Sequence, residues 1–210
     1  KEEKSPAAVV SIDSVRIPKP FMAYGRPQQP EQETILFTNA TLWTCEEEGV
    51  IEGGQLLIHE GKVAAVGEKV DLEAIFGKKL PDMKVWDVEG AHITPGIIDE
   101  HSHIAISRGV NEATQTSSAE VSIGTVVDSE DIDIYRQLSG GGTTSQLLHG
   151  SANPVGGPSG IIKLRWGMTP DEMLVEDADG FIKFALGENV KQSNWGPDNT
   201  ERFPQTRMGV

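Results

Sequence analysis

His101 and His103, two residues apart in the run Ile97-Ile98-Asp99-Glu100-His101-Ser102-His103, are the side chains of this sequence best suited to chemistry. The run opens on β-branched apolar residues and reads as a strand. Alternate residues of a strand share a face, so Asp99, His101 and His103 point the same way. Two imidazoles on one face can each offer a ring nitrogen to one cation, and imidazole suits zinc, iron, nickel or copper. Taken alone the pair is a weak motif, because histidines also fall two apart by chance at strand ends. Its meaning depends on the elements that position it.

Other polar residues stand where strands give way to loops. His149 ends the run TTSQLLHG on the face of Thr143 and Ser145, and could orient a substrate or a metal ligand as readily as it could serve structure. The stretch from Ile104 to Val127 is long, polar and rich in Ser and Thr; Asn111 and Glu112 are its inward-reaching candidates for substrate contact. A second loop, HGSANPVGGPSG, has glycines that let backbone approach a ligand closely. It lacks the lysine-serine pair or glycine spacing of a phosphate loop. Lys163 and Arg165 alternate on the next strand and could hold a carboxylate, although such cations more often neutralise interior acids. His59 and His92 lie in or beside a β-rich segment and read as structural.

Three regions follow from the texture of the chain. Residues 1–33 mix charge with Pro18, Pro20, Pro27 and Pro30, which fits an extended arm or linker. Residues 34–92 alternate short β-rich runs with turn signals such as Gly53-Gly54 and Glu60-Gly61, predicting a small antiparallel β module. From Ile93 to Val210, strands alternate with helical segments, the pattern of a parallel α/β sheet or barrel. Its strands are predicted at ITPGIIDEHSH, TTSQLLHG, GIIKLRWG and GFIKFALGEN. A helix capped by Asp128-Ser129 covers SEDIDIYRQLS, with Ile132, Tyr135 and Leu138 at helical spacing and Gly140 as its stop. Thr169-Pro170-Asp171-Glu172 is a capping box with proline at the first helical position. Four strands do not close a barrel, and a complete (βα)8 barrel takes about 250 residues.

Composition narrows the chemistry further. The 210 residues are 37% hydrophobic, enough for a buried core, and their 18 basic and 32 acidic side chains leave a net charge of -14. That charge repels phosphate backbones and argues against a nucleic-acid partner. Cys45 is the single cysteine, so an intrachain disulfide and a cysteine zinc site are excluded, and any metal must use His and carboxylates. No apolar run approaches the roughly 18 residues of a membrane span. A chain opening at Lys1 fits removal of a leader or tag, or a start within a longer sequence. Cytoplasmic and exported, periplasmic locations both stay open.

The segment His92-Ile93-Thr94-Pro95-Gly96-Ile97-Ile98-Asp99-Glu100-His101-Ser102-His103, following a β module that ends in a GKVAAVG hairpin, resembles the entry to the barrel of the amidohydrolase superfamily. The resemblance spans nearly all of residues 34–210, and GGGTTSQLLHGS and FIKFALGEN look most like imidazolonepropionase-like and prolidase-like members. It implies an α/β fold: the first four or so strands of a TIM-type (βα)8 barrel, preceded by a small β-sandwich module that distant C-terminal strands complete. It also implies one or two divalent metal ions, zinc foremost, on His101 and His103. In a barrel, the apolar face of Ile182, Phe184 and Leu186 should meet the outer helices, which leaves Lys183 in the lumen. Prolidase-like members carboxylate a lysine at this position to bridge two cations; other members use a glutamate, for which Glu188 is the candidate. The expected activity is a metal-dependent hydrolysis of a C–N bond, in a small molecule, a dipeptide or a cyclic amide, by a metal-activated water. A deaminase or isomerase of the superfamily, or a non-catalytic relative, is the alternative. The family's general base and remaining metal histidines follow later strands, beyond Val210. The chain alone is therefore expected to be inactive, needing the rest of the same protein to close the barrel, and homo-oligomerisation stays open.

Overall fold

The structure is a computed structural model describing residues 16–111, 115–192 and 203–210. The chain divides into two compact units, one spanning Pro30–Gly96 and the other joining Ile97–Val210 to the segment that ends at Gln29.

In the first unit, β1 (Ile35–Trp43), β2 (Val50–His59) and β3 (Lys62–Gly67) form an antiparallel meander. Glu60 and Gly61, at φ of 50° and 71°, make the two-residue left-handed turn that suits the twist of the β2–β3 hairpin. The short helix α1 (Leu72–Phe76) follows, with the Asp71 carboxylate accepting from the Ala74 amide at 2.9 Å. The chain then returns along the other edge of β1, where β4 (Lys84–Asp87) and β5 (His92–Ile93) both pair parallel to it. The sheet is thus mixed, not purely antiparallel as expected, because the excursion through α1 is long enough to bring the chain back in the same direction. Leu36, Leu57 and Val70 form its buried core. His59 and His92 serve this sheet: Thr34 Oγ1 lies 2.8 Å from His59 Nδ1, and the Trp43 indole donates to His92 Nδ1 at 2.8 Å.

The second unit begins with β6 (Ile97–Ser102), so the strand expected from Ile93 starts later and Ile93 belongs to β5. A crossover through α2 (Ile132–Ser139) leads to β7 (Gly142–Leu147), which lies parallel to β6. The sequence placed the cap of α2 at Asp128-Ser129; it is Asp131 instead. The Asp128 carboxylate accepts locally from the Glu130 amide at 3.0 Å, whereas Asp131 accepts from the amides of Asp133 at 3.0 Å and Ala105 at 2.7 Å. Capping and loop attachment are thereby combined in one carboxylate. Ile134 is fully buried, and Ile132, Tyr135 and Leu138 pack on the core at the anticipated spacing. The capping box of α3 (Pro170–Met173) forms as read, with the Thr169 amide and hydroxyl donating to Glu172 at 2.9 and 2.8 Å.

The third and fourth expected strands depart from a parallel α/β order. β9 (Gly160–Lys163) runs antiparallel to β7, giving the sheet order β6-β7-β9. The connection from Leu148 to Ser159 contains no helix, and a return without a crossover lays strands antiparallel. It contains β8 (Val155–Pro158), which pairs with β10 (Ile182–Phe184) in a separate two-stranded sheet. The fold is mixed α/β, and among the described residues of the second unit β6–α2–β7 has the parallel strand–helix–strand order. The core between the sheet and α2 is built on Leu147, Ile134, Ile162, Leu164, Trp166 and Met173.

The proline-rich segment expected as an extended arm folds back from Lys19 onward. Lys19 and Arg26 form an antiparallel bridge, the Tyr24 ring stacks on Tyr135 with centroids 4.6 Å apart, and the Trp166 indole donates to the Tyr24 carbonyl at 2.9 Å. Among the described residues no helix is long and apolar enough to cross a membrane.

Leu147 is completely buried at the centre of this core. Leu147→Ala should lower the unfolding free energy of the full-length protein by about 2–5 kcal/mol, measured by urea denaturation. The Thr169 backbone and hydroxyl bonds hold the Glu172 carboxyl below its ordinary 4.5. A lowered folded value means the cap stabilises above the unfolded value and is lost as pH falls through the folded one. The Thr169 amide resonance should therefore report a carboxyl titrating below 4.5; a titration at or above that value would contradict the cap.

Candidate metal centre

β6 delivers the histidines, and β7 holds them in place. The Leu148 amide, just past β7, donates to the Ser102 carbonyl at 3.1 Å, continuing the parallel ladder beyond the end of β6. The Leu148 carbonyl lies 2.9 Å from His103 Nδ1. A carbonyl can only accept, so Nδ1 carries a proton, and in the neutral ring the lone pair then sits on Nε2, the arrangement in which an imidazole ligates a metal. The His101 and His103 rings stand 5.2 Å apart, nearly perpendicular. Asp99, which strand parity put on the same face, turns its carboxylate to the His101 amide at 3.2 Å.

Lys183, on β10, approaches from a position 82 residues away, its Nζ 3.3 Å from His101 Nε2. The Lys183 ammonium, then desolvation, then His103 hold His101 below its ordinary 6.5, against the opposite pull of Asp99 and Glu100. His101 is thus biased toward the neutral form that can donate a lone pair. Lys183 is half-buried, between exposed Ile182 and Phe184.

The remaining candidates are distributed around this trio. Glu188 engages Lys191 and Arg207, the latter at 3.5 Å, and these cations hold its carboxyl below the usual range, Lys191 first. His149 is only 3% exposed, with Nε2 2.7 Å from the Val121 carbonyl. Asn111 is exposed and sits against Gly150, where a Cβ would meet its Oδ1 at 1.8 Å. Glu112 lies outside the described residues. Arg165 is turned to the Glu172 carbonyl at 2.8 Å. One contributor escaped sequence reading: the Leu148 carbonyl is backbone and leaves no residue-type signal.

The donor chemistry of His101 and His103 fits a divalent cation, with two imidazole nitrogens and one of them braced by a carbonyl. An ammonium has no lone pair, so Lys183 joins such a set only after losing its proton or gaining a carboxylate. Among the described residues no cluster of three or more His, Cys, Asp or Glu side chains gathers.

No family model matches the chain. It is 32% identical over 205 residues to the amidohydrolase tasK of Hapsidospora irregularis, an alignment covering 83% of this chain and 20% of that protein. It is 35% identical over 54 residues to an imidazolonepropionase of Geobacillus sp. (strain WCH70), covering 26% of this chain and 13% of the relative. A solved amidohydrolase of Thermotoga maritima MSB8 superimposes with a TM-score of 0.68 at 34% identity, over 83% of this chain and 44% of that one. The chain thus spans a fifth or less of these two curated relatives and under half of that structure. The histidine-bearing strand, the β module before it and these relatives agree in supporting the amidohydrolase superfamily, whose N-terminal region the chain matches.

Proposed function

We propose that the whole protein is a metal-dependent hydrolase of a C–N bond, in an amide, a short peptide or a cyclic amide, and that His101 and His103 are the first ligands of its metal. The observation that carries this reading is the meeting of His101, His103 and Lys183, drawn from β6 and β10, with His103 braced on the Leu148 carbonyl. Relatives named amidohydrolase and imidazolonepropionase support the reaction class.

When bound, a divalent cation, zinc first among candidates, lowers the pKa of a water toward about 7 and polarises the scissile carbonyl. This chain's residues hold and orient. His101 and His103 present neutral nitrogens, and Asp99 anchors the backbone of His101. A carboxylated Lys183 would replace a cation that repels protonated His101 with an anion that attracts a metal; Glu188 is the alternative bridge, once released from Lys191 and Arg207. Asn111 and Glu112 are the proposed substrate-side groups. The burial of His149 favours an indirect role for it over substrate contact.

The architecture goes with this reading. Residues 93–210 would contribute about the first four strands of a (βα)8 barrel, of which only β6 and β7 are paired in parallel among the described residues, and residues 34–92 a β-sandwich module completed by strands from the remainder of the protein. Support comes from the superposition on the Thermotoga maritima amidohydrolase and from apolar side chains left open to solvent, such as Ile98 at 69% and Leu186 at 68%.

Metal content of the full-length protein, determined by mass spectrometry, tests the proposal: His101→Ala should lose bound metal and hydrolytic activity together. Unchanged stoichiometry would remove His101 from the site. Glu188→Gln should retain metal, because its carboxylate is already engaged by Lys191 and Arg207; loss of metal there would exchange Lys183 for Glu188 as the bridging ligand.

A further inference from the structure

The pairing of β8 with β10 contains an irregularity at one residue. Pro158 lies opposite Ile182 and Val155 opposite Phe184, so Gly156 and Gly157 together face the single residue Lys183. Two residues against one is a β-bulge, a device that re-aims the side chain opposite it. Both flanks are tied down: the Ser159 amide donates to the Phe181 carbonyl at 2.8 Å and the Ala185 amide to the Pro154 carbonyl at 3.0 Å. The bulge therefore cannot slide along the pair without breaking one of these bonds.

Each glycine is required by a close approach. A Cβ on Gly156 would stand 3.0 Å from the Lys183 carbonyl oxygen, 3.2 Å from Lys183 Cβ and 3.2 Å from His149 Cβ. Gly156 is thus wedged between Lys183 and His149, with no room for even a methyl group unless one of them moves. A Cβ on Gly157 would stand 1.7 Å from the Val121 carbonyl oxygen and 2.6 Å from His149 Nε2, within the bond that anchors the His149 ring. Gly156, Gly157 and His149 are all buried, so the stack is not a mobile surface loop.

We propose that Gly156 and His149 are positioning residues for Lys183: the anchored His149 ring backs the Gly156 bulge, and the bulge sets where β10 delivers the lysine amine beside His101. Neither residue touches the amine. This gives a role to a buried histidine at a strand end whose Nε2 is taken up by the Val121 carbonyl. It deepens the metal-centre reading and rests on it for its functional consequence, although the positioning itself can be read without metal.

The first measurement uses metal-free full-length protein. Lysines are acetylated with acetic anhydride and read by peptide mass spectrometry, with Lys62 of the other unit as internal reference. Gly156→Ala, which pushes on Lys183, and His149→Ala, which removes the ring without adding bulk, should each raise Lys183 labelling severalfold while Lys163 labelling stays constant. If Gly156→Ala does not fold, His149→Ala decides. Unchanged Lys183 labelling in the folded variants, or a rise shared by Lys163, overturns the proposal.

The second measurement titrates the full-length protein with Zn²⁺. Gly156→Ala should weaken affinity by about tenfold, the usual effect of losing a supporting contact behind a ligand. In a Lys183→Ala background it should cause no further loss, because the residue through which it acts is gone. Losses that multiply would mean that Gly156 acts independently of Lys183 and would overturn the proposal. Should Lys183→Ala leave zinc affinity unchanged, the metal role of Lys183 falls, and the labelling result alone decides whether it is positioned by the bulge.

Discussion

The parallel pairing of β6 with β7 is the constraint on which the site depends. It aligns Asp99 with Ser145 and Ser102 with Leu147, and it continues past the strand ends through the Leu148 amide and the Ser102 carbonyl. The same residue, Leu148 just past β7, whose amide extends the ladder, accepts from His103 Nδ1 through its carbonyl, so register and imidazole orientation are set together. Parallel pairing has a topological requirement: the chain must cross over between the two strands, and α2 provides the crossing. Its buried Ile134 and the Asp131 carboxylate, which ties the helix start to Ala105, join that crossing to the core.

Around the histidines the local electrostatics run against the acidic whole. The molecule carries a net charge of -14, yet the trio at the site is two imidazoles and an ammonium. Crowding nitrogen bases in this way disfavours protonation of His101, and a neutral imidazole is the form that coordinates a cation. Asp99 and Glu100 moderate the effect without reversing it. Glu188, the other acid proposed for the site, is drawn instead toward Lys191 and Arg207. The arrangement gathers nitrogen groups and not carboxylates around His101 Nε2.

The β8–β10 pair shows how a short element can be given precision. β10 has only three residues, Ile182 to Phe184, and most of its neighbouring side chains are open to solvent. Two glycines with no Cβ allow the backbones to come within contact distance, and the hydrogen bond of His149 to the Val121 carbonyl braces that contact from behind. A strand with so little burial of its own is oriented by what lies under it. That support comes from the glycine-rich loop between β7 and β9.

Local pattern was enough to identify much of this protein. The Asp99-Glu100-His101-Ser102-His103 strand end, the capping box at Thr169 and Glu172 and the helical spacing of Ile132, Tyr135 and Leu138 depend on neighbours within a turn or a pleat, and such interactions are written in consecutive residues. The family resemblance was legible for the same reason, since it rests on contiguous motifs. Tertiary structure decided the rest. Whether β9 runs parallel or antiparallel to β7, and whether β4 and β5 return along β1, depends on the path of the connections and not on residue type. Asp131, not Asp128, caps the helix, and the same carboxylate accepts from the amide of Ala105, a contact that only the folded chain provides. The approach of Lys183 to His101 across 82 residues, and the bond from His103 Nδ1 to a backbone carbonyl, exist only once separate strands have been brought together.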